Sequence, residues 1–269
     1  MTQTISSKAF YNMIVPLIKD VGAYQRSRYS KAIKVEFKGD INLVTEVDKK
    51  SEALLVSAIQ KQYPDHDILA EEGTGTRKDS QYKWIIDPLD GTTNFAHNYP
   101  LFAISVALEF KGEILAGAVY DPLHDEFFRA FKGHGAYLND KPIKVSMVGQ
   151  LSKALLVTGF AYNVKKSQDN NLCHFNNMIF RSQAVRRDGV AAIDLCYVAC
   201  GRYDGFWELN LYPWDTAAGI LIAAEAGAKI SCFNGSTYSI YERDLLVSNN
   251  KIHKEMIRVL KMGKLPMKM

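Results

Sequence analysis

Two aspartates stand three residues apart in the segment WIIDPLDGTTNF, residues 84–95, where they end an apolar run. A glycine and two threonines follow Asp87 and Asp90 directly. Two carboxylates this close repel each other unless a cation lies between them, and oxygen ligands favour hard ions such as Mg²⁺. Free amides where the Gly-Thr-Thr turn opens a helix would suit a phosphate. The motif favours metal-assisted phosphoryl chemistry, with a solvated Asx-type turn as the alternative.

Other acids also stand at the ends of apolar segments. Glu71 closes the strand-like ILAEE, Glu208 lies among aromatics in FWELN, and Asp215 begins the helix-like WDTAAG. Asp48 follows Thr45 by three residues. Asp215 could be an ordinary helix N-cap, and Asp48 the acidic partner in a capping box. Together, however, these acids occupy the element ends where layered α/β folds tend to bind ligands.

The N-terminal half is predicted to contain two helices followed by a largely antiparallel meander. Helical spacing of apolar residues covers 5–27, and Pro16 is expected to bend this helix or mark its boundary. A second helix is predicted over 45–64, capped by Thr45. Short apolar strands separated by Gly, Asn and Pro follow it. Pro88 has no amide donor, so regular pairing is expected to end there.

From about residue 154 onward, strand-like and helix-like segments alternate, which indicates a layered α/β half. We therefore place a soft domain boundary near residue 150. An N-terminal α+β half, 1–150, carries Glu71 and the first aspartate motif. A C-terminal α/β half, 151–269, carries Glu208 and Asp215.

Composition restricts the class of protein further. The chain has 269 residues, of which 47% are hydrophobic and 23% charged, as in ordinary globular proteins. No segment approaches the roughly 18 apolar residues of a membrane span, and the N-terminus lacks a signal-peptide pattern. The four cysteines have no zinc-site spacing and are expected to be reduced thiols. A cytoplasmic protein without a membrane partner is expected. The net charge of +4 mildly favours an anionic ligand, and the Lys-containing segment 254–269 is weak evidence for nucleic acid.

Taken as a pair, DPLDGTTNF and PWDTAAG resemble the signature segments of the inositol monophosphatase family, the lithium-sensitive, Mg²⁺-dependent sugar phosphatases. The likeness covers nearly the whole chain, and GRYDGFWE is similar to the bacterial members. It implies a layered α-β-α-β-α sandwich, with a mixed, largely antiparallel N-terminal sheet and a second C-terminal α/β layer. It also implies hydrolysis of myo-inositol monophosphate by a metal-activated water.

The resemblance further implies roles for individual residues. Two or three Mg²⁺ ions would be held by Glu71, Asp87, the Leu89 carbonyl, Asp90 and Asp215. The catalytic group would comprise Asp48, Glu71 and Thr92, the first and last of which would activate the attacking water. The positions matched to substrate are Glu71, Leu89, Asp90, Gly91, Thr92, Gly189, Val190, Ala191, Glu208 and Asp215.

Two further positions are notable in this comparison. Lys38-Gly39 matches a mobile loop near the site, and Val190 departs from the Ser or Thr that is usual in the family. If the family contact at this position uses a side-chain hydroxyl, the departure affects substrate preference. A backbone contact would leave it unchanged.

Several alternatives remain open. LDGTT also resembles the DxDGT signature of haloacid-dehalogenase-type phosphatases, although here the acids are three apart rather than two. Within the superfamily, histidinol phosphate, fructose 1,6-bisphosphate or a 3′-phosphoadenosine nucleotide could be the substrate. The chain could also be an accessory protein of the transcription machinery with a secondary phosphatase activity. The partners expected from resemblance are a small phosphorylated metabolite and a second copy in a homodimer.

Overall fold

The computed structural model describes residues 5–37, 42–162, 164–167 and 170–262. Lys38 and Gly39, which match a mobile loop in the family, lie outside the described residues. No helix in the described ranges is long and apolar enough to cross a bilayer.

Two N-terminal helices form where the sequence predicts them. Helix α1 spans Ser7–Arg28 and runs through Pro16, which therefore does not mark a helix boundary. Helix α2 spans Glu46–Gln62, with Thr45 as its N-cap and Tyr63 as its C-cap. A short antiparallel hairpin before α2, which the sequence pattern did not reveal, pairs β1 (Val35–Phe37) with β2 (Leu43–Thr45).

A seven-stranded sheet forms the first β layer. Its strands, in spatial order, are β3 (Asp67–Ala70), β4 (Tyr82–Asp90), β5 (Ala103–Phe110), β6 (Glu113–Asp121), β7 (Glu126–Phe131), β8 (Ala136–Leu138) and β9 (Lys141–Pro142). The first pair is parallel and the others are antiparallel. Strand β4 continues past Pro88 to Asp90, with a register shift between Asp87 and Asp90. The prediction that pairing ends at Pro88 is therefore wrong, because the proline coincides with a bulge and the strand continues to Asp90.

A five-stranded mixed sheet forms the second β layer. Its spatial order is β11 (Ala184–Arg186), β10 (Leu155–Thr158), β12 (Gly205–Leu209), β14 (Asp244–Ser248) and β13 (Lys229–Ser231). The remaining helices are α3 (Thr92–Ala96), α4 (Leu172–Ile179), α5 (Ala191–Ala199), α6 (Pro213–Glu225) and α7 (His253–Leu260). A single 3₁₀ turn, Leu151–Lys153, precedes β10.

Alternation along the strands sorts side chains into separate core layers. On β4, Trp84 and Ile86 pack in the cluster that contains α1 and α2, while Ile85 packs in the cluster that contains α5 and α6. The five-stranded sheet covers α5 and α6 from the other side, and its outer face packs on α4 and α7. Gly117 permits the close approach of α6, since a Cβ there would lie 2.9 Å from the Ala218 carbonyl oxygen. The order of layers is α-β-α-β-α, which confirms the predicted sandwich.

Candidate active site

One cavity of about 250 Å³ lies where the N-terminal and C-terminal halves meet. Every predicted site residue except Asp48 lines it. The predicted lining residues are Glu71, Asp87, Leu89, Asp90, Gly91, Thr92, Gly189, Val190, Ala191, Glu208 and Asp215. The strand ends and helix starts that carry acids in the sequence are therefore brought to one place by the layered fold.

The bulge at the end of β4 shapes one wall of the cavity. The Asp87 Oδ1 atom accepts a 2.9 Å hydrogen bond from the Leu89 amide. The Pro88 carbonyl accepts one of 2.7 Å from the buried Gln25 side chain. Gly91 follows with φ of 95°, a left-handed conformation that favours glycine, and starts the short helix α3. The segment is thus held from both sides while it turns into α3.

Asp90 and Asp215 are each anchored to a helix start. The Ala192 amide donates to Asp90 Oδ2 at 2.7 Å, and the Tyr212 amide donates to Asp215 Oδ2 at 2.7 Å. Asp215 is the third residue of α6, after Pro213, so the N-cap alternative for this residue is wrong, and its structural role is that of the acidic residue of a capping box. Each anchor fixes one carboxylate oxygen.

Asp48 lies behind the cavity and is fully buried. Its Oδ1 accepts a 2.9 Å hydrogen bond from the Thr92 hydroxyl, which lies 44 residues away in sequence. Its Oδ2 accepts from the Thr45 amide at 3.0 Å and from the Thr45 hydroxyl. The capping role and the contact with Thr92 therefore coexist, one on each carboxylate oxygen. The Thr92 hydroxyl also lies 3.2 Å from the Leu89 carbonyl.

Burial and mutual repulsion raise the pKa values of the aspartates in the cavity. Burial, and then the charges of Glu71, Asp90 and Asp215, raise the pKa of Asp87 well above its usual range. Burial raises the pKa of Asp90 to about 7, against the opposing effect of the Ala192 amide. Burial and the Asp90 charge raise that of Asp215 well above its usual range. Burial is the larger cause in each case, and a cation would relieve the repulsion that adds to it.

The acids around this cluster follow the same trend. Burial and the Asp215 charge raise the pKa of Glu208 to about 8, and the Arg187 guanidinium opposes the shift. Burial raises the pKa of Asp48 to about 6, although the hydrogen bond from Thr92 favours the ionised form. Arg187 also opposes the rise at Asp90. One arginine offsets only part of the repulsion among these carboxylates.

This donor set fits a hard divalent cation by its chemistry. Carboxylate and carbonyl oxygens are the ligands that Mg²⁺ prefers, and a cation among these acids would relieve their repulsion. In the described ranges, no three His, Cys, Asp or Glu side chains are grouped closely enough to hold an ion as they stand. Ligation would therefore require the carboxylates to turn toward a common point.

Sequence reasoning missed about half of the cavity wall. The additional lining residues are Asn42, Gly159, Phe160, Ala161, Tyr162, Arg187, Asn210, Leu211, Tyr212 and Trp214. Tyr212 and Trp214 stack with ring centroids 4.9 Å apart, and they lie three residues and one residue before Asp215. Their position beside the second aspartate motif was a usable signal, as was that of Arg187 in RRDG. Gly159 and its neighbours had no such signal.

The five-layer sandwich and its acidic cavity define an α/β protein of the sugar-phosphatase type. The chain belongs to the inositol monophosphatase family, because the model of the family described as "Inositol monophosphatase family" matches residues 7–262. Membership of this family supports a phosphatase function.

Individual relatives agree with this assignment. The "Inositol-1-monophosphatase" of Synechocystis sp. is 46% identical over 89% of this chain and 84% of the relative. The "Nus factor SuhB" of Vibrio cholerae is 41% identical over 88% of this chain and 90% of the relative. Among solved structures, the inositol monophosphatase of Anabaena (Nostoc) sp. has a TM-score of 0.86 at 41% identity. That match covers 94% of this chain and 95% of the solved one.

Proposed function

We propose that the protein is a Mg²⁺-dependent phosphomonoesterase that hydrolyses myo-inositol monophosphate to inositol and phosphate. The observation that carries the proposal is the convergence, on one cavity, of the acidic end of β4, the Gly-Thr turn and the buried Glu208. The sequence identity between most of this chain and a relative named inositol-1-monophosphatase supports the choice of substrate.

The metal-binding group in this proposal comprises Glu71, Asp87, the Leu89 carbonyl, Asp90 and Asp215, which would hold two or three ions. When bound, Mg²⁺ supplies positive charge that offsets the acids and the phosphate, and it acidifies the attacking water. Four carboxylates and a phosphate of roughly two negative charges at pH 7 are balanced by three divalent cations, and two cations offset about two thirds of this charge. The raised pKa values of the aspartates are consistent with this assignment, because a bound cation would offset both the burial and the mutual repulsion that raise them.

The water-activating group is Thr92 with Asp48, beside Glu71. The Thr92 hydroxyl, held by the buried Asp48, orients the attacking water and passes its proton toward the carboxylate. The backbone amides of Gly91 and Thr92 hold the phosphate at the start of α3. No covalent intermediate is required, which distinguishes this reaction from that of a haloacid-dehalogenase-type enzyme.

The alcohol part of the substrate faces the C-terminal half. Glu208 accepts hydrogen bonds from ring hydroxyls, and Gly189, Val190 and Ala191 contact the ring. The Val190 side chain is fully buried, and a Cβ on Gly91 would lie 2.8 Å from it. We therefore assign the proposed substrate contact at Val190 to its backbone, in which case the departure from Ser or Thr leaves substrate preference unchanged.

A substrate panel tests the proposal. At saturating Mg²⁺ we expect the highest kcat/KM for inositol 1-phosphate, compared with fructose 1,6-bisphosphate, 3′-phosphoadenosine 5′-phosphate and histidinol phosphate. Chelation should abolish turnover, and lithium should inhibit it. Preference for another member of the panel would replace the substrate assignment, and a trapped aspartyl-phosphate would replace the mechanism.

A second function is favoured by the 41% identity to a protein named Nus factor SuhB. In this proposal the chain also associates with the transcription machinery, and a pull-down with RNA polymerase subunits tests it. We further propose a homodimer in the cytoplasm, where the cysteines, all free in the described residues, would remain reduced. Light scattering tests the dimer.

A further inference from the structure

A buried asparagine joins three segments beside the cavity. Asn171 is 3% exposed and has φ of 64°, in the left-handed region. Its Nδ2 donates to the Thr158 hydroxyl at 2.9 Å and to the Gly159 carbonyl at 2.7 Å. Its Oδ1 accepts a 2.8 Å hydrogen bond from the Trp207 indole. Both donors and the acceptor of this amide are therefore used, as expected for a buried polar group.

Two hydrogen-bond partners of Asn171 directly precede Glu208 and Gly159 in sequence, and Gly159 is the residue against which the Glu208 carboxylate packs. Trp207 precedes Glu208 on β12, and Thr158 precedes Gly159 at the end of β10. A Cβ on Gly159 would lie 2.3 Å from both carboxylate oxygens of Glu208, so the carboxylate rests on the glycine backbone. Asn171 thus holds both the strand that carries Glu208 and the surface on which its carboxylate lies.

Packing, and not hydrogen bonding, directs Glu208. Among the described residues, no side chain or amide hydrogen-bonds the Glu208 carboxylate, although the residue is only 7% exposed. A shift of Gly159 or of Trp207 would therefore move the carboxylate, because none of these hydrogen bonds holds it in place. The Asn171 amide joins the Gly159 carbonyl to the Trp207 indole. It adds to the pairing of Thr158 with Trp207, in which the Thr158 hydroxyl donates to the Trp207 carbonyl.

We propose that Asn171 is a positioning residue that fixes the direction of the Glu208 carboxylate and thereby the affinity for the alcohol part of the substrate. The inference rests on the proposed function, in which Glu208 binds the ring hydroxyls of a polyol phosphate. Asn171 itself touches neither the acids of the metal group nor the Gly-Thr turn. Its loss should therefore affect recognition of the alcohol and spare the chemistry of the phosphate.

The test is Asn171→Gly, which removes the amide while permitting the left-handed backbone. We expect KM for inositol 1-phosphate to rise about tenfold, the low end for a lost hydrogen bond to a charged group. The kcat on a small aryl phosphate should stay within about twofold of wild type. In combination with Glu208→Gln, the change in KM should be much smaller than the product of the single effects, since the two residues act on one contact.

The matched control is Asn139→Gly. Asn139 also has a positive φ, of 44°, and its side chain bonds the Phe127 amide and the Asp125 carbonyl, away from the cavity. Because Asn139 is exposed, its substitution should cost less stability than that of Asn171, and it should leave KM unchanged. If Asn171→Gly does not fold, Asn171→Asp takes its place, because it keeps the Trp207 acceptor and loses both donors.

The outcomes separate this inference from the proposed function. An unchanged KM in a folded Asn171 variant, or a product of single effects in the double mutant, would overturn the positioning role. A wild-type protein without activity on inositol 1-phosphate would instead overturn the proposed function. A fall in kcat on the aryl phosphate equal to that on inositol 1-phosphate would make Asn171 a purely structural residue.

Discussion

Asp90 and Ala192 are 102 residues apart in sequence and are joined by a 2.7 Å hydrogen bond from the Ala192 amide to Asp90 Oδ2. Helix α5 begins after Val190, which offers no side-chain cap. The carboxylate at the end of β4 therefore satisfies an orphan amide at the start of a helix in the other half. The Asp90 side chain also belongs to the proposed metal group. It therefore has two roles, as a cap of α5 and as a metal ligand, and substitutions by Asn and by Ala distinguish them.

Asp90→Asn should lower turnover more than about 100-fold, since even outer-shell changes at metal sites cost roughly 10–100-fold. The metal-free variant should have a Tm equal to or above that of wild type, because a charge that burial and repulsion disfavour is removed. Asp90→Ala should be less stable than Asp90→Asn by about 1 kcal/mol, the value of a helix cap. Steady-state kinetics and thermal unfolding in chelator measure both effects. A near-wild-type kcat for Asp90→Asn would exclude Asp90 as a ligand.

Thr92→Ala should lower kcat by about 10²–10⁴-fold with little change in KM, as expected for lost general-base assistance. Thr92→Ser keeps the hydroxyl and is the matched control, with activity near that of wild type. Asp48→Asn should act in the same direction, and the double mutant should lose much less than the product of the two. Unchanged kcat in Asp48→Asn would mean that Asp48 serves only the capping box with Thr45.

Gly159→Ala should mimic Glu208→Gln, although it removes no charge. The added methyl group would lie 2.3 Å from both oxygens of the Glu208 carboxylate and force it to turn away. Both variants should raise KM for inositol 1-phosphate by about tenfold or more, while kcat on a small aryl phosphate changes little. Equal losses on the two substrates would place Glu208 in the metal or structural group instead.

Because His253 is buried, we expect the protein to lose stability in mild acid. His253 is 4% exposed and lies between the Ser231 hydroxyl, 2.9 Å from Nε2, and the Ser248 hydroxyl, 2.8 Å from Nδ1. Burial, and then the Lys229 charge, lower its pKa to about 4. The His253 imidazole is therefore protonated near pH 6.5 in the unfolded chain, but only near pH 4 in the folded protein. The contribution of neutral His253 to the free energy of unfolding is fully present above pH 6.5 and declines as the pH falls toward 4.

Between pH 6.5 and 5, the His253 contribution to the free energy of unfolding should fall by about 2 kcal/mol. Denaturation of wild type and of His253→Asn at both pH values measures this contribution by difference, because the acidic cavity titrates equally in the two proteins. The variant should be less stable at pH 7 and less sensitive to pH. Parallel pH profiles for the two proteins would contradict the prediction.

Local patterns in the sequence were sufficient for the acids and for most elements. Asp87, Asp90 and Asp215 stand at element ends that the pattern of apolar residues marks, and the fold brings them together. Gly159 could not be found in this way, because its lack of a side chain matters only through Glu208 in a different strand. The continuation of β4 past Pro88 depends on its partner β5, which accommodates the bulge. Such features arise from contacts between elements, which local periodicity does not encode.

The close packing of Gly117 against Ala218 has a consequence for synthesis of the chain. The face of the seven-stranded sheet that α6 covers is complete once Pro142 has been made, but α6 begins only at Pro213. At ordinary elongation rates, this apolar surface awaits its helix for on the order of several seconds on the ribosome. During that interval, this apolar face is open to contacts with other chains.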